Sequence, residues 1–497
     1  MIPTSNLAHL LAQSARRFPD RPALIRGEQV LTWAGLATRV RAAAGALAAQ
    51  GVGKGERVLV HARNSFAMFE TMWAAWMLGA VWVPTNVRLT PAEVAYLAQS
   101  SRATVHIFDD PFPEHAAAAR AANPHVRVEI SISGWEALAA HPAPLAEAAD
   151  MDRDDPCWFF YTSGTTGRPK AAVLTHGQMA FVVTNHLCDL MPGTTENDVS
   201  LVVAPLSHGA GIHALTQVAR GAASVFLPGD RLDTAEAWRL IEAHRVSNMF
   251  TVPTILTLLA RDPAAATTDR SSLRHIIYAG APMYRADQVE ALRNIGPVLV
   301  QYFGLGEVTG NITVLPPHLH SIEDDPAFPI GSCGYPRTGM EIAIRDGEIC
   351  VRGPAVFAGY FENPEANAKA FADGWFHTGD LGHLDERGYL YITGRASDMY
   401  ISGGSNIYPR EIEEALLLHP AIAEACVVGL PDARWGESGV AVLVLHAPAE
   451  EAELRTHLDP LLARYKHPAR FLVWDAIPKT GYGKVSKKDI RALLVSL

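Results

Sequence analysis

The stretch YTSGTTGRPK, from Tyr161 to Lys170, combines two glycines, a run of hydroxyl side chains and a lysine. Such a composition is typical of a loop that binds phosphate, because small residues let backbone N–H groups approach the anion. The spacing differs from the P-loop pattern, in which glycine and lysine are adjacent and a helix follows. Here Pro169 separates Arg168 from Lys170, and the strand-like residues AAVL come next. The sequence therefore predicts a phosphate-binding loop between two strands.

The chain as a whole has the composition of a globular protein. Its 497 residues predict more than one domain, and 48% of them are hydrophobic while 19% are charged. The net charge of −10 argues against a nucleic-acid partner, which normally requires a basic face. The longest apolar run is too short to span a bilayer, and no signal-peptide pattern opens the chain. We expect a cytoplasmic protein with no transmembrane segment.

The cysteines give no sign of a disulfide framework or of a metal motif. No two of them form a C-x-x-C pair, which suits a reducing compartment. A catalytic cysteine is conceivable, but small buried hydrophobic residues are the expected role. The five cysteines are Cys157, Cys188, Cys333, Cys350 and Cys426.

Four short apolar runs, each typical of a buried strand, lead into loops of small residues. In open α/β sheets, ligands bind beyond the carboxyl ends of the strands, where such loops meet. The pattern therefore predicts largely parallel strands with a ligand site at their ends. The runs are CWFFY (157–161) before TSGTTG, SLVVA (200–204) before PLSHGAG, HIIY (275–278) before AGAP, and VLVQY (298–302) before FGLGE.

Three further segments, taken together with the opening loop, form a recognisable set of motifs. They are GWFHTGDLG (374–382), GRASDMYISGGSNIYPREIE (394–413) and PKTGYGKVSKKDIR (478–491). In this order and spacing the four segments resemble the adenylate-forming superfamily, which includes acyl-CoA synthetases, adenylation domains and beetle luciferases. The resemblance implies an acid–thiol ligase. A carboxylate attacks the α-phosphorus of ATP, pyrophosphate leaves, and the CoA thiolate then attacks the acyl-adenylate.

The resemblance also implies the fold class and the domain boundaries. We expect an α/β protein with a large N-terminal domain of mixed, largely parallel sheets and helices, covering residues 1–393. A hinge at 394–398, centred on Ser397, would lead to a small, mobile α+β domain at 399–497. Relatives usually carry Asp or Lys at the hinge position. The expected small molecules are ATP, Mg²⁺, CoA as co-substrate and a carboxylic acid. The resemblance leaves open whether the protein forms a homodimer.

For the opening loop, the resemblance implies that hydroxyls and backbone hold the β- and γ-phosphates of ATP, while Lys170 neutralises the departing pyrophosphate. The alternative is a hydroxyl-rich turn with a solvated lysine. The residues concerned are Thr162, Ser163, Gly164, Thr165, Thr166 and Gly167.

For FGLGE, the resemblance implies that Glu307 is the Mg²⁺ ligand, since a hard cation favours carboxylate oxygen. The alternative is a carboxylate that only stabilises a helix N-terminus. Phe303 would face the adenine. The family usually spells this segment Tyr-Gly-x-Thr-Glu, so Phe303 and Gly306 each lack a hydroxyl, which backbone amides or water could replace. The other nucleotide-binding positions are Gly304, Gly280, Ala281 and Pro282.

The C-terminal motifs imply four further roles. Asp380 would accept hydrogen bonds from the ribose hydroxyls, and Arg395 would contact ribose or phosphate through its guanidinium. Lys484 would be the adenylation lysine, placed between the substrate carboxylate and the α-phosphate. Gly403 and Gly404 would line the pantetheine tunnel. Taken alone, the charged residues are more often surface groups.

The acyl pocket is expected around residues 208–215, 249–253 and 279–282, with His208 as a gate or as a satisfied structural histidine. Between Pro205 and Gln217 there is no acidic residue for an ammonium group and no Arg or Lys for a second carboxylate, although Arg220 is near. This favours an apolar fatty or aromatic monocarboxylic acid.

Two rival functions stay open. One is an enzyme that loads a carrier protein, although we expect free CoA because no carrier domain follows in this sequence. The other is a nucleotide-binding pseudoenzyme. A P-loop kinase fits none of the later motifs.

Overall fold

The computed structural model describes residues 6–162, 168–281, 283–402, 405–479 and 485–495, without the side chain of residue 406. It confirms the α/β fold class. The strands are β1 (Pro22–Arg26), β2 (Gln29–Thr32), β3 (Arg57–His61), β4 (Val81–Pro84), β5 (Val105–Phe108), β6 (Val128–Ser131), β7 (Pro156–Thr162), β8 (Lys170–Thr175), β9 (Val199–Val202), β10 (Ala223–Phe226), β11 (Asn248–Thr251), β12 (His275–Tyr278), β13 (Leu299–Phe303), β14 (Thr313–Leu315), β15 (Tyr335–Pro336), β16 (Glu341–Arg345), β17 (Glu348–Arg352), β18 (Phe371–Ala372), β19 (Trp375–Leu384), β20 (Leu390–Arg395), β21 (Tyr400–Ser402), β22 (Ser405–Ile407), β23 (Ile422–Asp432), β24 (Gly436–Leu445) and β25 (Arg470–Val473).

The helices alternate with these strands through most of the chain. They are α1 (His9–Arg17), α2 (Trp33–Ala49), α3 (Phe66–Met77), α4 (Pro91–Ser101), α5 (Pro113–Ala122), α6 (Ile132–Ala139), α7 (His176–Asn185), α8 (Gly209–Arg220), α9 (Thr234–His244), α10 (Pro253–Arg261), α11 (Ala264–Thr267), α12 (Arg285–Ile295), α13 (Pro364–Ala370), α14 (Pro409–Leu417), α15 (Glu451–Leu458) and α16 (Lys487–Val495). A π-helical turn follows α7 at His186–Leu190, and short 3₁₀ turns lie at Gly306–Val308, Pro317–Leu319 and Arg464–Lys466.

The largest sheet has the strand order β15-β14-β13-β12-β11-β9-β10-β1-β2. The pairs from β13 to β1 are parallel, while β14, β15 and β2 join antiparallel. The apolar runs at 200–204, 275–278 and 298–302 supply β9, β12 and β13, as the sequence predicted. Because these strands are parallel, their carboxyl ends lie at one edge of the sheet, and the small-residue loops gather there.

A second sheet has the order β6-β5-β3-β4-β7-β8 and is parallel except for β8. The opening loop connects β7 to β8, and its flanking residues Thr162 and Lys170 are opposite each other in the register. On its other side, β8 bonds to residues 358–361 through Ala358 N–H to Val173 O and Phe361 N–H to Ala171 O. The prediction of a loop between two strands is confirmed.

Tryptophans fill the core that joins these sheets. The indoles of Trp82 and Trp158 meet edge to face with their ring centres 4.7 Å apart, and those of Trp73 and Trp76 do so at 5.3 Å. All four side chains are buried. The apolar stretch 73–84 is thus a helix-to-strand segment in the core, as expected. Within the described residues, no helix combines the length and the apolar character needed to cross a membrane.

A third sheet, β16-β17-β19-β18 with β20 on β19, is antiparallel throughout. This sheet was harder to predict than the parallel ones, because β19 alternates buried and partly buried residues instead of forming a continuous apolar run. Beyond it, β22-β21-β24-β23 and β25 form a further sheet with α14, α15 and α16 around it. That mixture agrees with the α+β character expected for the C-terminal part.

Candidate active site

Glu307 lies where three distant segments meet. Its Oε1 accepts a hydrogen bond of 2.8 Å from the hydroxyl of Thr162 and one of 2.9 Å from the hydroxyl of Tyr360. The residue is 5% exposed. Thr162 ends β7, Glu307 lies on the 3₁₀ turn after β13, and Tyr360 lies within the backbone segment that bonds to β8. A buried carboxylate held by two neutral donors keeps oxygen available for a hard cation.

The same tyrosine contacts the lysine of the opening loop. The Nζ of Lys170 lies 5.1 Å from the centre of the Tyr360 ring, within the range of a cation–π contact. Burial, with a smaller contribution from the Glu307 carboxylate, raises the pKa of Tyr360, so its hydroxyl stays protonated and donates. The sequence analysis missed Tyr360, because the segment GYFENPEA lies outside the four motifs and its contact with Glu307 is not visible from spacing.

Gly306, a departure from the family spelling, has a physical reason in this chain. A Cβ atom on Gly306 would lie 2.6 Å from Cδ1 of Phe160 and 2.8 Å from Cγ2 of Thr162. Both distances are far below van der Waals contact. The ring of Phe160 therefore occupies the volume that a threonine side chain at 306 would need.

The residues that follow β13 and β12 are small, and they let main-chain segments pass close to one another. A Cβ on Gly304 would lie 2.4 Å from Cα of Gly310, so two main-chain segments pass here with no room for a side chain. Phe303, the last residue of β13, is partly exposed. Gly280 has φ +86°, in the region that glycine favours, and Ala281 follows it.

Asp380 and Arg395 form an ion pair across two strands. They face each other in the register of β19 and β20, and Nε of Arg395 donates to Oδ1 of Asp380 at 2.7 Å. Asp380 is 4% exposed, so the pair is not an ordinary surface salt bridge. The carboxylate raises the pKa of Arg395. The structure thus brings the two predicted ribose ligands together.

The three segments expected to form the acyl pocket meet at the start of α8. A Cβ on Gly209 would lie 2.3 Å from Cζ of Phe250, so the Phe250 ring packs directly on the backbone of α8. Phe250 also stacks with Tyr302, with ring centres 6.0 Å apart and an interplanar angle of 26°. The ring of His208 meets that of Phe160 edge to face at 5.0 Å. Aromatic rings therefore dominate these walls.

His213, in the same segment as His208, is a structural histidine. Its Nε2 lies 2.8 Å from Oδ1 of Asn248 and 3.1 Å from Oγ of Ser200. Burial lowers the pKa of His213 to about 4, so the ring is neutral near pH 7. It adds no charge to the pocket.

A buried guanidinium lies behind Tyr302. Arg337 is 1% exposed, and burial lowers its pKa to about 9. Its Nη2 lies 3.2 Å from Nδ1 of His186, and its Nε is 3.8 Å from Oδ2 of Asp189. Arg337 was not predictable from residues 205–217, because it comes from a distant loop after β15.

Several predicted site residues lie outside the described ranges. Their assigned roles stay predictions, as do the phosphate, ribose and metal roles of the residues placed above. They are Ser163, Gly164, Thr165, Thr166, Gly167, Pro282, Gly403, Gly404 and Lys484.

Comparisons with known proteins cover nearly the whole chain. A family model described as "AMP-binding enzyme" matches residues 11–361, and one described as "AMP-binding enzyme C-terminal domain" matches residues 411–484. A feruloyl-CoA synthase from an Amycolatopsis species is 37% identical over 508 residues, which is 96% of this chain and 96% of that protein. A 2-succinylbenzoate–CoA ligase from Bacillus licheniformis is 35% identical over 97% of this chain and 98% of that protein.

A solved structure agrees with the fold over the same length. The o-succinylbenzoate CoA synthetase of Bacillus subtilis, in complex with its acyl-adenylate intermediate, superimposes with a TM-score of 0.85 at 34% identity. The match covers 98% of this chain and 97% of that one.

Proposed function

This chain belongs to the AMP-binding enzyme family, and we propose that the acid it activates is an apolar monocarboxylic acid, with aromatic acids favoured over long-chain fatty acids. The chain is an ATP-dependent acid–thiol ligase of the acyl-CoA synthetase type. It forms an acyl-adenylate from a carboxylic acid and ATP, and it transfers the acyl group to CoA.

The ring-lined wall at the start of α8 is the main support for an aromatic acid. Phe250 packs on Gly209 and stacks with Tyr302, so the faces of aromatic rings lie at the start of α8. The segments 208–215 and 249–253 contain no Asp, Glu, Lys or Arg. An apolar pocket with few polar groups suits an uncharged aryl or acyl group.

In the proposed adenylation step, the chain's own residues position and neutralise charge instead of acting as nucleophiles. Thr162 and its loop hold the β- and γ-phosphates, and Lys170 offsets the charge of the leaving pyrophosphate. Lys484 orients the substrate carboxylate towards the α-phosphorus. Glu307 would hold Mg²⁺, which supplies further neutralisation of the phosphates when bound.

In the proposed thioester step, Asp380 holds the ribose, and Arg395 orients that carboxylate through its hydrogen bond. Gly403 and Gly404 would border the path of the pantetheine arm. His208 would stand at the entrance to the acyl pocket. We also propose that the enzyme is cytoplasmic, which its five free cysteines support.

ATP–pyrophosphate exchange over a panel of carboxylic acids tests the reaction and the substrate together. We expect exchange with hydroxylated or unsubstituted aromatic monocarboxylic acids, and thioester formation when CoA is added. Strong preference for long-chain fatty acids would overturn the aromatic proposal. Exchange without thioester formation would indicate a carrier-protein acceptor, and no exchange with any acid would indicate a pseudoenzyme.

The variant Lys484→Ala separates the two half-reactions. We expect it to abolish pyrophosphate exchange while CoA still attacks supplied acyl-adenylate. Lys488→Ala, at an exposed position nearby, is the matched control and should retain both activities. Equal loss of both half-reactions in Lys484→Ala would contradict the assignment. A bulky residue at Gly404 should have the opposite effect: pyrophosphate exchange should persist while thioester formation with CoA is lost.

A further inference from the structure

A cluster of three different metal-binding side chains lies on the antiparallel sheet, and its members are not among the residues assigned to catalysis or nucleotide binding. Glu348 and Cys350 belong to β17, and His377 belongs to β19, directly opposite Cys350 in the register. One donor atom from each side chain lies within 4.8 Å of the other two. The backbone pairing of two neighbouring strands therefore fixes the cluster.

The separations between the donor atoms suit a small tetrahedral ion. His377 Nδ1 lies 3.5 Å from Cys350 Sγ and 2.8 Å from Glu348 Oε2. With zinc bond lengths of about 2.0 Å to N or O and 2.3 Å to S, a tetrahedral site requires about 3.6 Å for N···S and about 3.3 Å for N···O. The nitrogen–oxygen pair would have to widen by about 0.5 Å to reach that geometry.

The surrounding residues orient the carboxylate of Glu348 and leave one side of the cluster open to solvent. Glu348 Oε1 accepts a 2.8 Å hydrogen bond from the backbone N–H of Gly379, which turns Oε2 towards His377. Such outer hydrogen bonds are typical of carboxylates that ligate metals. The side chains of His377 and Glu348 are 23% and 26% exposed, so water can reach the cluster as a fourth ligand.

The thiol of Cys350 makes weak sulfur hydrogen bonds in this arrangement. Cys350 is buried, and its Sγ lies 3.5 and 3.9 Å from the two ring nitrogens of His377 and 3.8 Å from the backbone oxygen of Glu348. Zinc binds the thiolate form of cysteine, so binding would release the thiol proton.

We propose that Glu348, Cys350 and His377 form a binding site for one Zn²⁺ ion, with water completing a tetrahedron. A thiolate, an imidazole and a carboxylate together favour this borderline-soft ion over Mg²⁺, which the oxygen donor Glu307 suits better. The sequence analysis found no metal-ligand spacing among the cysteines, because it looked for pairs of cysteines and this site takes its ligands from two strands.

Zinc binding by the full chain, without a histidine tag, tests the proposal. The protein is stripped with a chelator and kept free of thiols, ATP and CoA, and Zn²⁺ is titrated against a chromophoric chelator. We expect one ion per chain and the release of a proton. Cys350→Ser and His377→Gln should each weaken binding by at least about tenfold.

Two variants serve as matched controls. Cys188→Ser removes an exposed cysteine elsewhere, and His383→Gln removes an exposed histidine of β19. Both should bind zinc as the parent does. Circular dichroism of the metal-free proteins checks that each variant is folded.

Cobalt provides an independent spectroscopic readout. Co²⁺ bound to the parent should show a thiolate-to-metal charge-transfer band in the near ultraviolet, absent from Cys350→Ser. No stoichiometric zinc binding by the parent, or equal affinity in Cys350→Ser, would overturn the proposal and leave a hydrogen-bonded Glu348–His377 pair beside an inert thiol.

Discussion

The hydroxyl of Tyr360 donates a 2.9 Å hydrogen bond to Glu307 while its ring lies 5.1 Å from the ammonium of Lys170. One side chain thus contacts both the acidic and the basic residue proposed to act on the ATP phosphates. Tyr360 is a positioning residue in this proposal, since it acts through Glu307 and Lys170.

Replacing Tyr360 with Phe removes the hydrogen bond and keeps the ring. A hydrogen bond to a charged group contributes about 1.5 to 3 kcal/mol net, which corresponds to roughly a ten- to hundredfold change in rate. We expect kcat/KM for ATP in pyrophosphate exchange to fall by about that factor, and the Mg²⁺ concentration needed for half activity to rise. Tyr335→Phe, at an exposed site, is the control. An unchanged Mg²⁺ dependence would contradict the role.

Gly306→Thr tests the packing of Phe160 against the turn that carries Glu307. The added Cβ would collide with the Phe160 ring, and overpacking of this kind costs about 1 to 3 kcal/mol. We expect lower thermal stability and lower exchange activity. Adding Phe160→Leu should restore at least part of the thermal stability and of the exchange activity. A double-mutant cycle measures this coupling between the two positions. Additive losses in the double variant would mean that the two positions do not compete for volume.

Gly209→Ala tests the wall of the acyl pocket. Its methyl group would enter the Phe250 ring, so the ring must move into the space proposed for the acid. We expect kcat/KM for the acid to fall about tenfold or more while KM for ATP changes little. Gly229→Ala is the matched control, because no atom lies within 4 Å of its added Cβ. Equal effects on acid and ATP would place Gly209 outside the pocket.

The stability of the fold should depend on pH through its buried histidines. Burial lowers the pKa of His61 to about 3 and those of His106 and His176 to about 4, against an ordinary value of 6.5. Between pH 6.5 and 4, the unfolded chain therefore binds protons that the folded chain does not. The free energy of unfolding should fall as the pH falls through this window.

His106→Phe isolates one of these histidines. Neither ring nitrogen of His106 has a hydrogen-bond partner among the described residues, and its charged neighbours are Arg120 and His115. The variant should flatten the slope of the unfolding free energy against pH, measured by denaturant titration, by up to one proton. His383→Phe, at an exposed site, should leave the slope unchanged. An unaltered slope in His106→Phe would show that this histidine does not titrate abnormally.

Buried parallel strands and motif loops were predictable from the sequence, because each leaves a local pattern. The runs 157–161 and 275–278 are continuous and apolar, as strands covered on both faces require. The contacts of Tyr360 and the burial of Arg337 leave no such pattern, because they depend on chain segments that meet only in the folded protein. In the sequence, Gly306 is a position where the family's threonine hydroxyl is missing. The position of the Phe160 ring in the folded protein explains why glycine is needed there.

The pairing of β7 with β8 has a consequence for how this loop can change in length. The antiparallel pairing of β7 with β8 ends at Thr162 opposite Lys170, and the residues between these two connect the strands. An insertion between 163 and 169 therefore leaves the lysine facing Tyr360. The deletion of one residue within β8 would instead turn every later side chain of that strand to the opposite face. The fold should accordingly tolerate new loop lengths, at the expense of the proposed phosphate binding, while the strand behind the loop keeps its length unchanged.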